Sequence, residues 1–365
     1  MAGSTLKISG LTRRYGGLAA VQDASFLLPA GSLTAVAGPA GSGKSTLMRM
    51  LAGLERGQAG TVELDGEAIG NRPAHRRGFG VVQQPDRLFP HLSLAENVAL
   101  PLRLRGVKQA ARQALLSEAL ELAQLGAVGA KRPREASPDE IQRALLARAA
   151  VFGPTVMLLD EPFGGADDPA RLALIASLGR IHQMLGATIL LATRSLRDAL
   201  PLCSQVLVLR QGRVEQAGTP EEVFNRPDSD FVAGLCGETN RLPGIVTSRE
   251  DDIATVQLAC GPLVEARGGP ALTAGSACTL VLRPEHIALA PVPAAEMGEG
   301  ALDATLLETQ FWGDSYRLRL LIGSGAEIVV RRPAIAGLRG LAPGRQAAIA
   351  WQSHHAMAFG VTASQ

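Results

Sequence analysis

Along the first two-thirds of the chain, short apolar runs alternate with longer amphipathic stretches. Leu33–Ala37, Val156–Leu159 and Thr188–Ala192 are apolar-dominated runs bounded by turn or polar residues. Runs of that length and kind read as strands buried on both faces of a parallel sheet. Lys44–Leu54 and residues 108–126 repeat apolar positions at helical spacing. Val206–Leu209 runs into Gln211-Gly212, a strand ending in a turn. This βαβ rhythm predicts a layered α/β domain over residues 1–240, with a helical subdomain at about 90–155. Near Gly237-Glu238-Thr239-Asn240 the period changes. Alternation of two takes over, as in Arg317-Leu318-Arg319-Leu320 and Glu327-Ile328-Val329-Val330. Gly and Pro punctuate these runs, so residues 241–365 are expected to form a small all-β domain, a barrel or a sandwich.

Composition narrows this further. A chain of 365 residues suits two domains. With 46% hydrophobic but only 4% aromatic residues, the cores must be aliphatic. The net charge of +2 comes without any basic block, so no nucleic-acid partner is expected. No apolar run reaches the roughly 18 residues that span a bilayer, and no apolar signal core stands at the N-terminus. Any membrane role is therefore expected to come through a partner. Cys203, Cys236, Cys260 and Cys278 lie far apart with no CxxC spacing. They read as buried free thiols, neither disulfides nor a metal site.

One motif carries specific chemistry. Gly38-Pro39-Ala40-Gly41-Ser42-Gly43-Lys44-Ser45, followed by Thr46, fits G-x-x-x-x-G-K-[ST] in full. It lies between a predicted strand and a predicted helix, as a phosphate-binding P-loop must. Its glycines let backbone N–H groups close around phosphate oxygens at a helix N-terminus. Lys44 supplies a cation to the β- and γ-phosphates, and the Ser45 hydroxyl can ligate Mg²⁺. The expected cofactors are ATP and Mg²⁺. The apolar run at 156–159 ends in Asp160-Glu161. Alone, such a pair is more often a helix cap or a surface turn. Coupled to a P-loop, Asp160 becomes a candidate Mg²⁺ ligand and Glu161 the candidate that polarises the attacking water.

The order of these elements resembles the ATP-binding subunits of ABC transporters. Tyr15, in Arg-Arg-Tyr-Gly-Gly, matches the aromatic that stacks on adenine in that family. Gln84, with Gln83 as the competing register, matches the glutamine that touches Mg²⁺ and senses the membrane partner. Asp167 matches the aspartate of the loop after the catalytic glutamate. The resemblance covers nearly all of residues 1–240. It implies an ABC-type P-loop NTPase fold working as a homo- or heterodimer at the cytoplasmic face of a bacterial inner membrane. The implied partners are transmembrane permease subunits and, indirectly, a solute-binding protein. Residues 241–365 resemble the oligonucleotide-fold (OB-like, TOBE) domain appended to importer ATPases, best at Val281-Leu282-Arg283-Pro284-Glu285-His286-Ile287. Among importers the polyamine (spermidine/putrescine) branch looks most similar, an analogy of plan only.

Two positions depart from the family. Where it has Leu-Ser-Gly-Gly-Gln opening a helix that clamps γ-phosphate, this chain has Ala136-Ser137-Pro138-Asp139-Glu140, keeping only Ser137. Ser137, Pro138 and Glu140 form a capping box, so the helix should still start there. Pro138, however, offers no N–H. At about 6 Å and an effective dielectric near 20, each bare carboxylate would oppose one phosphate charge by about 2–3 kcal/mol. The second departure is Arg194, which stands where the family has a histidine contacting the γ-phosphate. As a permanent cation it can reach phosphate, but it cannot act as a neutral imidazole. Two functions are compatible with these residues. One is a transport ATPase using Glu161, Gln84 and Arg194; the other is a hydrolysis-impaired regulatory subunit working beside a competent partner.

Overall fold

A computed structural model describes residues 3–83, 87–269, 272–298 and 300–361. The chain divides into two compact units, residues 1–223 and 224–365. In the first unit the elements run β1 (Leu6–Tyr15), β2 (Leu18–Leu28), β3 (Leu33–Ala37), α1 (Lys44–Ala52), β4 (Ala59–Leu64), β5 (Glu67–Ala68), α2 (Ala74–Arg77) and β6 (Gly80–Val82). Next come α3 (Leu94–Leu104), α4 (Gln109–Leu122), α5 (Pro138–Ala150), β7 (Val156–Asp160), α6 (Asp168–Leu185), β8 (Thr188–Thr193), α7 (Leu196–Ala199), β9 (Gln205–Arg210) and β10 (Arg213–Gly218).

Two sheets form from these strands. One has the order β2-β1-β4-β5, and the other β10-β9-β3-β8-β7-β6. In the second, β3, β6, β7, β8 and β9 pair in parallel. Strands β3, β7 and β8 are buried at every position, which is why their sequences read as apolar-dominated runs. Leu47 and Leu51 of α1 close over Val36, Leu158 and Leu190 in one aliphatic core. Helices α3, α4 and α5 supply the helical region that the spacing predicts. In it the buried Asn97 ties down the preceding loop. Its side chain accepts from the Phe89 N–H at 2.7 Å and donates to the carbonyls of Phe89, Leu92 and Ser93.

The second unit continues with α9 (Asp230–Cys236), following α8 (Pro220–Asn225), and then turns to strands. These are β11 (Asn240–Glu250), β12 (Ile253–Leu258), β13 (Leu263–Gly268), β14 (Ala277–Leu282) and β15 (Ala288–Ala290). After α10 (Ala294–Met297) come β16 (Leu302–Phe311), β17 (Ser315–Ile322), β18 (Ala326–Pro333), β19 (Gln346–Ala350) and β20 (Ala356–Gly360). Strands β11-β12-β13-β20-β14 close into a barrel, and β15-β19-β16-β17-β18 form a second sheet. One core of Leu242, Val256, Leu280, Leu318 and Ile349 is shared by both. The compact units divide ahead of the change in period at residue 240, because α9 packs against the barrel. Its Ala233 clusters with Val281 of β14 and Phe359 of β20. All four cysteines are buried and none is in a disulfide, and burial pushes the Cys203 thiol up to about 11. Among the described residues, no helix is long and apolar enough to cross a membrane.

Asn97 is fully buried, so removing its amide orphans several backbone groups at once. Asn97→Ala should cost about 1–3 kcal/mol, read as a lower urea midpoint of the first unit. An unchanged midpoint would show that the loop is held by other contacts.

Candidate functional site

The sheet register brings three loops together. Ala37 lies opposite Thr193, and Asp160 opposite Ala192. The P-loop, the Asp160-Glu161 turn and Arg194 therefore leave the carboxyl ends of adjacent parallel strands, where open α/β sheets bind ligands. Glycine is required within this loop. Gly41 and Gly43 have φ of 78° and 103°, and a Cβ on Gly43 would run into the carbonyl of Ala20. Gly43 caps α1 without a side-chain bond, so the first turn ends in backbone N–H groups.

Lys44 is 6% exposed. Its Nζ donates to the carbonyls of Gly38 at 2.7 Å and Pro39 at 2.9 Å. Burial pulls its pKa down, while the charges of Glu161 and Asp160 pull it back up. Asp160 is 5% exposed, and its Oδ1 has no hydrogen-bond partner among the described residues. Such an orphaned anionic oxygen is costly to bury unless a cation meets it. Glu161 has a φ of 52°, a left-handed conformation uncommon outside glycine and characteristic of functional turns. Its Oε2 accepts the Arg194 N–H at 3.3 Å, and its Oε1 lies 3.4 Å from Arg194 Nε. Burial raises the Glu161 carboxyl above its ordinary range; hydrogen bonding and the nearby cations offset this only in part.

A cavity of about 340 Å³ joins these groups. Tyr15, the loop residues Ala40 to Thr46, Asp160, Glu161 and Arg194 all line it. Tyr15 is held at the rim, its hydroxyl donating to Glu55 and Arg13 lying over its ring at 4.9 Å. Glu55, in the bend after α1, was not legible in the sequence, because its partners Arg13 and Tyr15 lie far back on β1. Gln84 falls outside the described residues.

The other two motif residues act locally as helix caps. Asp167 caps α6, accepting from the Ala170 N–H at 3.0 Å. Ser137 caps α5, with the reciprocal Glu140 bond that the sequence predicts. The expectation of two bare carboxylates at that helix start is corrected. Asp139 pairs with Arg143 at 2.7 Å, and Glu140 with Lys131 at 2.9 Å. These cations offset the repulsion toward an anion, but they also occupy the helix end. Hydrogen bonds and cations hold both carboxyls below their ordinary values, against the opposing effect of burial.

A family model described as ABC transporter matches residues 21–164, and one described as TOBE domain matches residues 280–359. The spermidine/putrescine import ATP-binding protein PotA of Rubrobacter xylanophilus is 32% identical, over 97% of this chain and 93% of its own length. PotA of Methylococcus capsulatus is 36% identical over 87% of the chain and 82% of that protein. The sulfate/thiosulfate import ATP-binding protein CysA of Mycobacterium bovis is 38% identical over 67% and 70%. Among solved structures, the dimeric structure of MJ0796, a bacterial ABC transporter cassette, superposes with a TM-score of 0.54. It is 26% identical and covers 59% of this chain and 98% of that one.

The raised Glu161 carboxyl sets a pH dependence. The folded chain holds a proton there more tightly than the unfolded chain, so ionisation costs stability above the raised pKa and nothing below the ordinary value of 4.5. Glu161→Gln should therefore be more stable than the parent at about pH 8, the gain vanishing toward about pH 4. Thermal unfolding at both pH values measures this, and an equal gain at each would contradict it.

Proposed function

Since the chain belongs to the ATP-binding proteins of ABC transporters, we propose that it binds and hydrolyses Mg-ATP to energise solute import. The observation that carries this reading is the single cavity where Tyr15, the P-loop, Asp160 and Glu161 meet. Tyr15 would stack on adenine, and the loop N–H groups with Lys44 would hold the phosphates. Ser45 and the orphaned Asp160 Oδ1 form an all-oxygen donor set that suits Mg²⁺. Bound there, the ion would neutralise phosphate charge. Glu161 would accept the proton of the attacking water, with Arg194 holding that carboxylate in place. Gln84 would couple the site to the permease, and Asp167 would stand in the loop facing a second ATP-binding subunit. The chain would sit peripherally at the cytoplasmic face of the inner membrane. The PotA relatives favour a polyamine as cargo, delivered by a solute-binding protein.

A second reading, a regulatory subunit with slow turnover, draws on the α5 start. There Pro138 and two ion pairs stand where a phosphate clamp needs free N–H groups. The Arg194–Glu161 pair points the same way, because it occupies the carboxylate that would take the proton.

Steady-state Mg-ATP hydrolysis by the purified chain decides between them. A transport ATPase should lose at least about a hundredfold in turnover on Glu161→Gln. Unaltered turnover in that variant would remove Glu161 from the mechanism. A chain that binds ATP but turns over only after residues 136–140 become Leu-Ser-Gly-Gly-Gln and Arg194 becomes His would be the regulatory subunit.

A further inference from the structure

A second cavity, of about 510 Å³, lies wholly within the C-terminal unit. Its floor is the barrel where β13, β14 and β20 meet, with Val281 opposite Met357 and Arg267 beside Met357 in register. The turn after β14 contributes His286, the turn before β20 His354 and His355, and the segment after α8 Arg226. Among the described residues, no Asp or Glu lines it. Its lining is therefore cationic or protonatable at six positions, set among apolar carbons of Val281, Met357, Phe224 and Ala233.

Arg283 is the telling residue. It is 6% exposed, and a buried guanidinium cannot shed its charge. One nitrogen, Nη2, donates to the Phe224 carbonyl at 3.1 Å, and the guanidinium stacks over the Phe224 ring at 3.8 Å. Those contacts are structural, and Nη1 reaches no oxygen or nitrogen acceptor among the described residues. The guanidinium also meets the Cys236 thiol in a side-chain hydrogen bond, and burial pushes that thiol up, so it stays neutral and cancels no charge. Arg267 Nε and His286 Nδ1 are likewise buried without partners among the described residues. The three histidine rings lie in a row, His286 stacked on His355 at 4.4 Å and His354 tilted against His355 at 4.2 Å. Buried guanidinium charge with an unpartnered N–H, beside three imidazoles round a cavity of ligand size, is stabilised by an anion.

We propose that this cavity binds a small organic anion, its carboxylate or phosphate oxygens held by Arg283, Arg267 and the histidines. A guanidinium N–H from each arginine fits either oxygen geometry. The apolar carbons between them accommodate a carbon skeleton rather than a bare hydrated ion. Burial and the neighbouring cations pull His286 and His355 below their ordinary values, with exposed Glu285 as the opposing charge on His286. An arriving anion favours the charged imidazoles, so binding takes up protons and tightens as pH falls.

The test uses the full chain with its histidine rings isotope-labelled, followed by NMR. Citrate, inorganic phosphate and, at matched ionic strength, chloride are the probes. Saturable shifts of His286 and His355 with citrate, phosphate or both are expected, weaker at about pH 8 than at about pH 6. Whichever of the two binds more tightly identifies the oxygen chemistry. Arg267→Gln, at a half-buried strand position, should weaken binding by about tenfold to a hundredfold. His355→Gln should weaken it too, and serves if the first variant does not fold. The proposal is overturned if neither probe moves these rings at tens of millimolar, if chloride moves them equally, or if a folded variant binds unchanged.

Discussion

The first unit is organised around one buried cation. Lys44 carries a charge into a site where it is almost fully covered, and the fold must supply what water would have supplied. Two backbone carbonyls, Gly38 and Pro39, do so directly, and the carboxylates of Asp160 and Glu161 do so through space. That arrangement depends on β3 and β7 lying in one parallel sheet with β8 between them, and on the glycines of the loop after β3. A side chain at Gly43 would collide with Ala20, and the loop that leads into α1 at Lys44 could not close. The balance leaves Asp160 with an unsatisfied oxygen and Glu161 with a backbone in the left-handed region. Both are costs a purely structural turn would shed.

The start of α5 shows the opposite economy. Its cap is complete, its first residue is proline, and each of its two acidic residues has its own cation. A helix N-terminus usually attracts anions through free N–H groups and the helix dipole. Here those attractions are met from within the chain. The electrostatic objection to a phosphate is thereby small, and the loss of available donors is the larger effect.

Much of this was legible in the sequence, for identifiable reasons. Strand β3 coincides with its apolar run, and β7, β8 and α1 differ from theirs by a residue or two at their ends, because full burial keeps the strands predominantly apolar and α1 keeps its buried positions at helical spacing. The α5 cap was legible because a capping box is a local code. The ion pairs were only half legible. Arg143 lies one helical turn beyond Asp139, but Lys131 reaches Glu140 across an intervening turn. In the second unit, period-two alternation announces strands such as β17 and β18 without saying which strands pair. That β20 returns to close the barrel beside β13 and β14 is set by long-range pairing. The cluster of Arg267, Arg283 and the histidines arises from that closure, so no local motif could reveal it.

The central claim is that the phosphate-binding half of the nucleotide site is complete within this chain and depends on Lys44. Calorimetric titration of Mg-ATP into the purified chain, beside Lys44→Ala, tests it most directly. The parent should bind saturably and the variant at least about tenfold more weakly, the worth of a charge-assisted contact. A parent that binds no nucleotide, or a folded variant that binds equally well, would contradict it.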